Sequence, residues 1–406
     1  MNAKHISDAI ELLDDDLIDE ANALRGGKKK TAPSWGKWLA AAACLALAVC
    51  AGAGLLYAGQ NQPQTATADL PKLPLSVQVT KPSSMGYEGY LAYDVSELSS
   101  GTPWRETDEF QTLPVYRNPV EYDGAGVPVA NVDLDAMEAR ALEVADRLGV
   151  KAELQDTSPS EEEMAAVREK LGEIPAGYFA PAEVTALGDG VEITVEANLT
   201  AEVTFEPALE LPREYNFGYY ASYEDMSAVA GCLLDQYRGL LDMDDPQAIV
   251  TGGDYNIYGE QMYQVEFFDA AGDQTRRLLD HRFNRANFSC DEEGRLWIIR
   301  LCQADLSLKV GDYPVIAARE AEQLLLEGRY ITNVPHELPG KEYVKTVELL
   351  YLNGRREAYF MPYYRFLVEL PQEERENGLK CYGAYYVPAV AEECLTELPV
   401  WDGSFN

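Results

Sequence analysis

Basic residues are scarce in this chain: 33 lysines and arginines stand against 68 aspartates and glutamates in 406 residues, a net charge of −35. A general nucleic-acid binder draws its affinity from neutralising phosphates, so this balance excludes DNA and RNA as partners. Histidine is scarcer still, at three, and His5 lies near the N-terminus. His336-Glu337 runs on into Leu338-Pro339-Gly340, which is not the HExxH of a zinc protease, and no metal site is expected. Five of the seven cysteines, Cys232, Cys290, Cys302, Cys381 and Cys394, lie in the C-terminal two-thirds at irregular spacing. An odd, irregular set reads as core thiols rather than a disulfide framework. There is no GxSxG elbow, no GxxxxGK[ST] loop and no GxGxxG after a strand, so neither an enzymatic activity nor a cofactor is implied. Long apolar runs are missing too, with one exception, which excludes a multi-span transporter.

That exception is Trp38 to Gly59, WLAAAACLALAVCAGAGLLYAG, free of charge. As a helix rising about 1.5 Å per residue it covers a hydrocarbon core about 30 Å thick, so the lipid bilayer is an expected partner. Arg25, Lys28, Lys29, Lys30 and Lys37 all precede it, which places the N-terminus in the cytoplasm and the remainder outside the cell membrane. The acidic stretch ahead of the run argues against a cleaved secretory signal, and Val49 before Cys50 argues against a lipoprotein. Ala40, Cys44, Ala48 and Gly52 recur every four residues and put small side chains on one face, where a second helix could pack. A lone anchor is the plainer reading of an alanine-rich span.

Residues 1–24 carry one lysine against seven acids. Ile6, Ile10, Leu13, Leu17, Ala21 and Leu24 step by three and four, which predicts an amphipathic helix capped by Ser7 and ended by Gly26-Gly27. One short helix cannot bury its own stripe. Its acidic opposite face is the wrong sign for an anionic leaflet, so a cytosolic protein partner is expected on the stripe.

The order MNAKHISDAIELLDDDLIDEA, basic stretch, Ala/Leu-rich span resembles the N-terminal layout of anti-sigma-factor-like membrane proteins of low-GC Gram-positive bacteria. The segments MGYEGYLAYDVSEL (Met85–Leu98) and MPYYRF (Met361–Phe366) are similar to uncharacterised proteins that share this layout. The resemblance implies a sigma factor as the docked partner and brings no activity with it. The N-terminal stretch lacks the His and Cys pattern of zinc-binding anti-sigma domains.

Beyond the span, residues 60–84 are rich in Gln, Thr and Pro and read as a stalk. Helices are predicted over Asp133–Gly149, from Ser158 to Leu171, over Ser222–Leu241, where Ser222 and Asp225 make a capping box, and over Pro314–Leu326. Strands are predicted over Val191–Phe205, about 247–251, 255–269 and 286–302, then Tyr343–Leu352, Glu357–Glu369 and Lys380–Ala389, with Asn353-Gly354 as a hairpin turn. Helix followed by antiparallel strands thus recurs around 132–206, 222–302 and 314–390, an α+β ectodomain of two or three modules, 85–210 and 211–406. This order resembles membrane-tethered regulators built from PepSY-like modules, a likeness of fold alone.

Candidate chemistry is sparse. His281 with Cys290 is a conceivable nucleophile pair, though no orienting group can be named. Asp242, Asp244 and Asp245 lack the Gly and late Glu of a calcium loop and read as a solvated helix end; Gly252-Gly253 and Ala271-Gly272-Asp273 read as turns. Of 25 tyrosines, 13 gather around 87–93, 215–223 and 359–386, either as half-buried sheet residues or as a surface for a peptide, glycan or protein. The expectation is a single-pass regulatory or sensor protein, not an enzyme, whose inner helix (1–37 with its basic flank) docks a protein and whose acidic outer domain binds a ligand. The alternative is a membrane-tethered extracytoplasmic enzyme or cell-wall-binding protein.

Overall fold

The structure, a computed structural model, describes residues 70–75, 89–123, 126–156, 161–171 and 182–405. The amphipathic helix and the span expected from the sequence lie outside the described residues, and with them Ile6, Ile10, Leu13, Leu17, Ala21, Leu24, Ala40, Cys44, Ala48 and Gly52. Among the described residues no helix is long and apolar enough to cross a membrane.

The chain opens with strands β1 (Tyr90–Ala92), β2 (Thr112–Arg117), β3 (Glu121–Tyr122) and β4 (Pro128–Ala130). A helix-led module follows: α1 (Leu134–Leu148), β5 (Ala152–Leu154), α2 (Glu161–Leu171), β6 (Glu183–Gly188), β7 (Val191–Glu196) and β8 (Ala201–Leu209). Another runs through α3 (Tyr223–Leu241), β9 (Pro246–Tyr255), β10 (Gln261–Asp269), α4 (Gln274–Phe283), β11 (Asn284–Cys290) and β12 (Leu296–Gln303). After β13 (Lys309–Pro314) comes α5 (Ala318–Leu326), with β14 (Ile331–Thr332), β15 (Val344–Tyr351), β16 (Tyr359–Phe360), β17 (Pro362–Leu370) and β18 (Lys380–Pro388). The ladders between these strands are antiparallel, and the fold is α+β.

The first two modules share one eight-stranded sheet, ordered β5-β6-β7-β8-β12-β11-β10-β9. It reads the same way outward from its middle, because the last strand of each module pairs with the other, Val203 opposite Ile299. Strict alternation makes this sheet one-sided: Val191, Ile193 and Val195 are buried while Glu192, Thr194 and Glu196 point away from the core. Helix α1 lies on β5 to β7, α3 lies on β9 and β10, and the two helices touch, so both cover the apolar face. Their ends are fixed locally. Asp133 accepts from the Ala136 amide at 3.0 Å, Gly149 closes α1 at φ 74°, and Ser222 with Asp225 forms the capping box of α3.

The third module builds a second sheet, β1-β18-β17-β15 with β14 beside β18, over a core of Leu349, Tyr351, Tyr364, Phe366, Tyr385 and Val387. Helix α4, absent from the sequence expectations, joins the two layers. It follows β10 and leads straight into β11 of the first sheet, yet Leu278, Leu279 and Phe283 belong to the second core. Leu70–Leu75, inside the stretch expected as a stalk, pack into a smaller third core: Leu73 is fully buried, and its amide donates to the Cys394 carbonyl at 2.8 Å.

Two turn expectations need correction. Gly252 and Gly253 lie inside β9, both at φ 95°, where a bulge in the β9–β10 register bends the strand. A Cβ on Gly253 would sit 2.0 Å from the Glu97 carbonyl oxygen, so glycine is needed for the crossing segment to pass. Asn353-Gly354 is not a tight hairpin tip either, because β15 pairs with β17 (Tyr351 opposite Pro362) and the intervening chain carries β16. Asn353 is tied instead to Arg282 through both ends of its amide.

Candidate functional site

Where the β9–β11 end of the large sheet meets the second sheet, a cavity of about 200 Å³ opens between β9, α4, β15, β17 and the segment Leu98–Thr102. That segment is strapped across the edge of β9. Ser99 and Gly252 exchange backbone hydrogen bonds at 2.9 and 3.1 Å, and the Ser99 hydroxyl donates to the Val250 carbonyl at 2.7 Å. The wall therefore has a fixed shape, with hydroxyls from Tyr90, Ser99, Ser100, Thr102 and Thr251 around it.

Three arginines reach this cavity in a chain where acids outnumber basic residues two to one. Arg365 on β17 donates from Nε to Oε2 of Glu348 at 2.8 Å, and its Nη2 reaches the same oxygen. The other Glu348 oxygen accepts from the Ser100 hydroxyl, so this carboxylate is occupied on both sides. Arg285 pairs with Glu266. Arg282 differs: its Nε donates to the Tyr351 carbonyl at 3.2 Å and its Nη2 to Asn353 Oδ1 at 3.0 Å, both neutral acceptors. Burial pulls its pKa down, and the strongest charge influences on it come from Tyr386, Arg365, Cys302 and Tyr90 rather than from a carboxylate. Its place in the last turn of α4, where the helix dipole is negative, offsets part of the cost.

His281 precedes it and is 4 % exposed, packed edge-on against Phe268 with ring centroids 5.3 Å apart. Neither ring nitrogen has a hydrogen-bond partner of normal geometry. Burial above all, then the neighbouring Arg282 charge, lowers its pKa to about 4, against a weaker upward pull from the Ser100 and Gly101 backbone. The imidazole is thus neutral at pH 7, with one N–H to give and one lone pair to receive. Together Arg282 and His281 can hold a small anion or carboxylate, with Asp254 and Glu348 as the acids of the same lining.

The other candidates of the sequence fall elsewhere. His281 sits just before β11 and Cys290 ends it, roughly 20 Å further at about 3.3 Å per residue, so they form no pair. The five cysteines are free thiols, and burial pushes Cys290 and Cys381 up to about 11. Asp242 closes α3 in the left-handed region and pairs with Arg147 at 2.6 Å, while the amides of Asp244 and Asp245 donate to Asp269. Tyr363, Tyr364, Tyr382 and Tyr385 are core residues of the second sheet, whereas Tyr93, Tyr219, Tyr220 and Tyr223 are exposed. Sequence reasoning missed Arg282, Arg365 and Glu348; the one available signal was a buried-looking His-Arg pair among so few basic residues. Among the described residues no group of three His, Cys, Asp or Glu side chains could hold a metal ion.

No family model and no curated protein matches the chain. Among solved structures it is similar to an uncharacterised protein from Eubacterium rectale, at 9% sequence identity and a TM-score of 0.32, over 70% of this chain and 84% of that one.

Proposed function

We propose that the chain is a single-pass membrane sensor whose outer α+β domain binds a small anionic ligand in the cavity of Arg282 and His281, and whose N-terminal helix docks a cytosolic protein, a sigma factor by its resemblance. The observation that carries the ligand reading is the pairing, on one cavity wall, of a half-buried guanidinium held only by neutral oxygens with a buried imidazole whose nitrogens have no hydrogen-bond partner of normal geometry. A buried polar group left unpaired costs about 1–3 kcal/mol, a cost that a carboxylate or phosphate oxygen at this position removes. The membrane and partner parts rest on the charge-free run 38–59 with its basic flank and on the apolar stripe of Ile6, Ile10, Leu13, Leu17, Ala21 and Leu24. Binding is the activity of this reading, with Glu348 held by Arg365 and Ser100 as part of the cavity wall.

The test uses the full chain in neutral detergent, melted with phosphate, sulfate and a series of mono- and dicarboxylates at constant ionic strength. A ligand at a hundred times its Kd stabilises by about 2.7 kcal/mol, a clear rise in Tm. Arg282→Gln is expected to weaken that anion tenfold or more. Anions that shift neither protein, or both equally, sink the reading. For the inner helix, a photoreactive residue at Leu13 should capture one cytosolic protein in the native cell and lose it with Leu17→Asp.

A further inference from the structure

At the turn end of β9 and β10 the molecule exposes a second surface of different character. The turn between these strands carries Ile257 and Tyr258 at its tip, 69% and 80% exposed. With Tyr220 and Tyr223, 54% and 47% exposed, they gather several large exposed side chains in one region, which is what marks an interaction face. The tip is held in shape: Asn256 Oδ1 accepts from the amides of Tyr258 at 2.9 Å and Glu260 at 3.0 Å, and Gly259 takes φ 78°. Tyr93 packs edge-on against Tyr255 on one strand, and Tyr223 does the same against Tyr263 on the other, with centroids 5.4 and 5.6 Å apart. Tyr220, from the turn before α3, hydrogen-bonds Glu260 at the tip. Glu97, in the 3-10 turn at 95–97, lies beside both Tyr255 and Tyr263, so the two tyrosine pairs flank one acidic group below the tip.

Its rim is acidic. Glu97 lies beside Tyr255 and Tyr263, Glu224 beside Tyr263, and Glu260 against Tyr220; burial first and then these charges push the Tyr255 and Tyr263 phenols up, and the Glu260 hydrogen bond pushes up Tyr220. In the adjoining hollow between β1 and the hairpin, Asp254 and Glu373 add to them and Arg375 is the basic group. The whole chain carries −35, so a second copy, an anionic polymer or an anionic leaflet would meet like charge at this face.

We propose that this surface docks a lysine- and arginine-rich segment of another protein. The aliphatic stems of the basic side chains lie across the tyrosine rings, and their cationic ends reach Glu97, Glu224 and Glu260, an arrangement that uses cation–π attraction and apolar cover at once. Because tip and rings are already ordered, little conformational freedom is lost on docking. The proposal does not depend on the anion cavity, whose lining shares Asp254 and Tyr90 with the hollow beside the hairpin but whose Arg282 and His281 take no part in it.

Fluorescence anisotropy tests it, with the full chain in neutral detergent at 150 mM NaCl and a labelled decapeptide of alternating Arg and Ala. Saturable binding is expected, and the double change Ile257→Ser with Tyr258→Ser, which leaves the net charge untouched, should weaken it at least tenfold. Tyr223→Ser should weaken it by a smaller factor, and Glu97→Gln with Glu224→Gln should weaken it and flatten its salt dependence. Circular dichroism on each variant separates lost docking from lost fold, and the exposed tip is not needed for the core. Three outcomes overturn the proposal: no binding of the Arg/Ala peptide, equal binding by the tip variant, which reduces the effect to bulk charge, or binding of chitohexaose in place of the peptide, which makes the face a neutral-glycan site.

Discussion

At His281 and Glu357 burial pulls two ionisable side chains in opposite directions. His281 falls to about 4 in the folded chain from 6.5, so between those values the unfolded state holds the extra proton. Its contribution to stability therefore rises with pH from about 4 to 6.5, by on the order of 3 kcal/mol, and is flat above. Glu357 rises to about 7 from 4.5, by burial alone. Between 4.5 and 7 the unfolded chain ionises this carboxyl first, so stability falls as pH rises through that window. Urea unfolding of the full chain at pH 4.5, 5.5, 6.5 and 7.5 should show the two effects opposing each other in the wild type. His281→Asn should remove the rising part and leave a net decline; Glu357→Gln should remove the decline and raise stability at pH 7.5. Midpoints that respond to pH identically in all three proteins would show that neither side chain is held as its surroundings require. Neither position was legible beforehand. His281 stands out only as one histidine among three and Glu357 not at all among 68 acids, because their burial is decided by residues more than 60 positions away, such as Asn353 beside Arg282.

Helix α4 makes the same point for elements. The segments whose own pattern matches their surroundings were readable: Val191–Phe205 alternates because one sheet face is covered, and Ser222 with Asp225 marks the start of α3. In QTRRLLDHRF the apolar residues are few and two are adjacent, so neither a helical nor a strand period stands out; tertiary packing, not propensity, makes it a helix. The β8–β12 seam was equally silent, since pairing of Val203 with Ile299 has no local signal. The recurring order of helix then antiparallel strands was visible from turn residues and alternation, but not that two of the modules share a sheet. Because α4 is followed without a break by a strand of one sheet and packs its apolar residues into the core of the other, the two layers should lose structure together. Phe283, 2% exposed and stacked near Tyr351 and Phe360, is the side chain to remove. Phe283→Ala should cost about 3–5 kcal/mol and keep one shared urea transition, followed by circular dichroism and by tyrosine fluorescence. If the two probes separate in the wild type, α4 does not couple the layers.

For the whole molecule the governing quantity is charge. With 68 acids against 33 basic residues, most carboxylates have no basic partner to meet, and their mutual repulsion acts across the folded chain more strongly than across the expanded one. Two opposed effects of salt follow. Screening weakens ion pairs, but the pairs that matter here are partly withdrawn from water: side-chain exposure is 19% and 14% for Arg365 and Glu348, and 19% and 8% for Arg285 and Glu266. Exposed pairs such as Lys309 with Asp312 contribute about 0–1 kcal/mol and have little to lose. Repulsion between exposed acids further apart than the Debye length is largely screened, since that length falls from about 30 Å at 0.01 M to about 8 Å at 0.15 M. Salt should therefore stabilise this protein. The measurement is the urea midpoint of the full chain at pH 7.5 between 10 and 300 mM NaCl, with urea chosen because guanidinium would itself screen. A midpoint that rises and then levels off supports repulsion as the larger effect, whereas a midpoint that falls would mean that the arginine pairs around the cavity, not the unpaired acids, set the electrostatics of the fold. The same titration bears on the tyrosine surface, because a face that attracts a basic segment through an acidic rim loses affinity in the salt range where the fold gains stability.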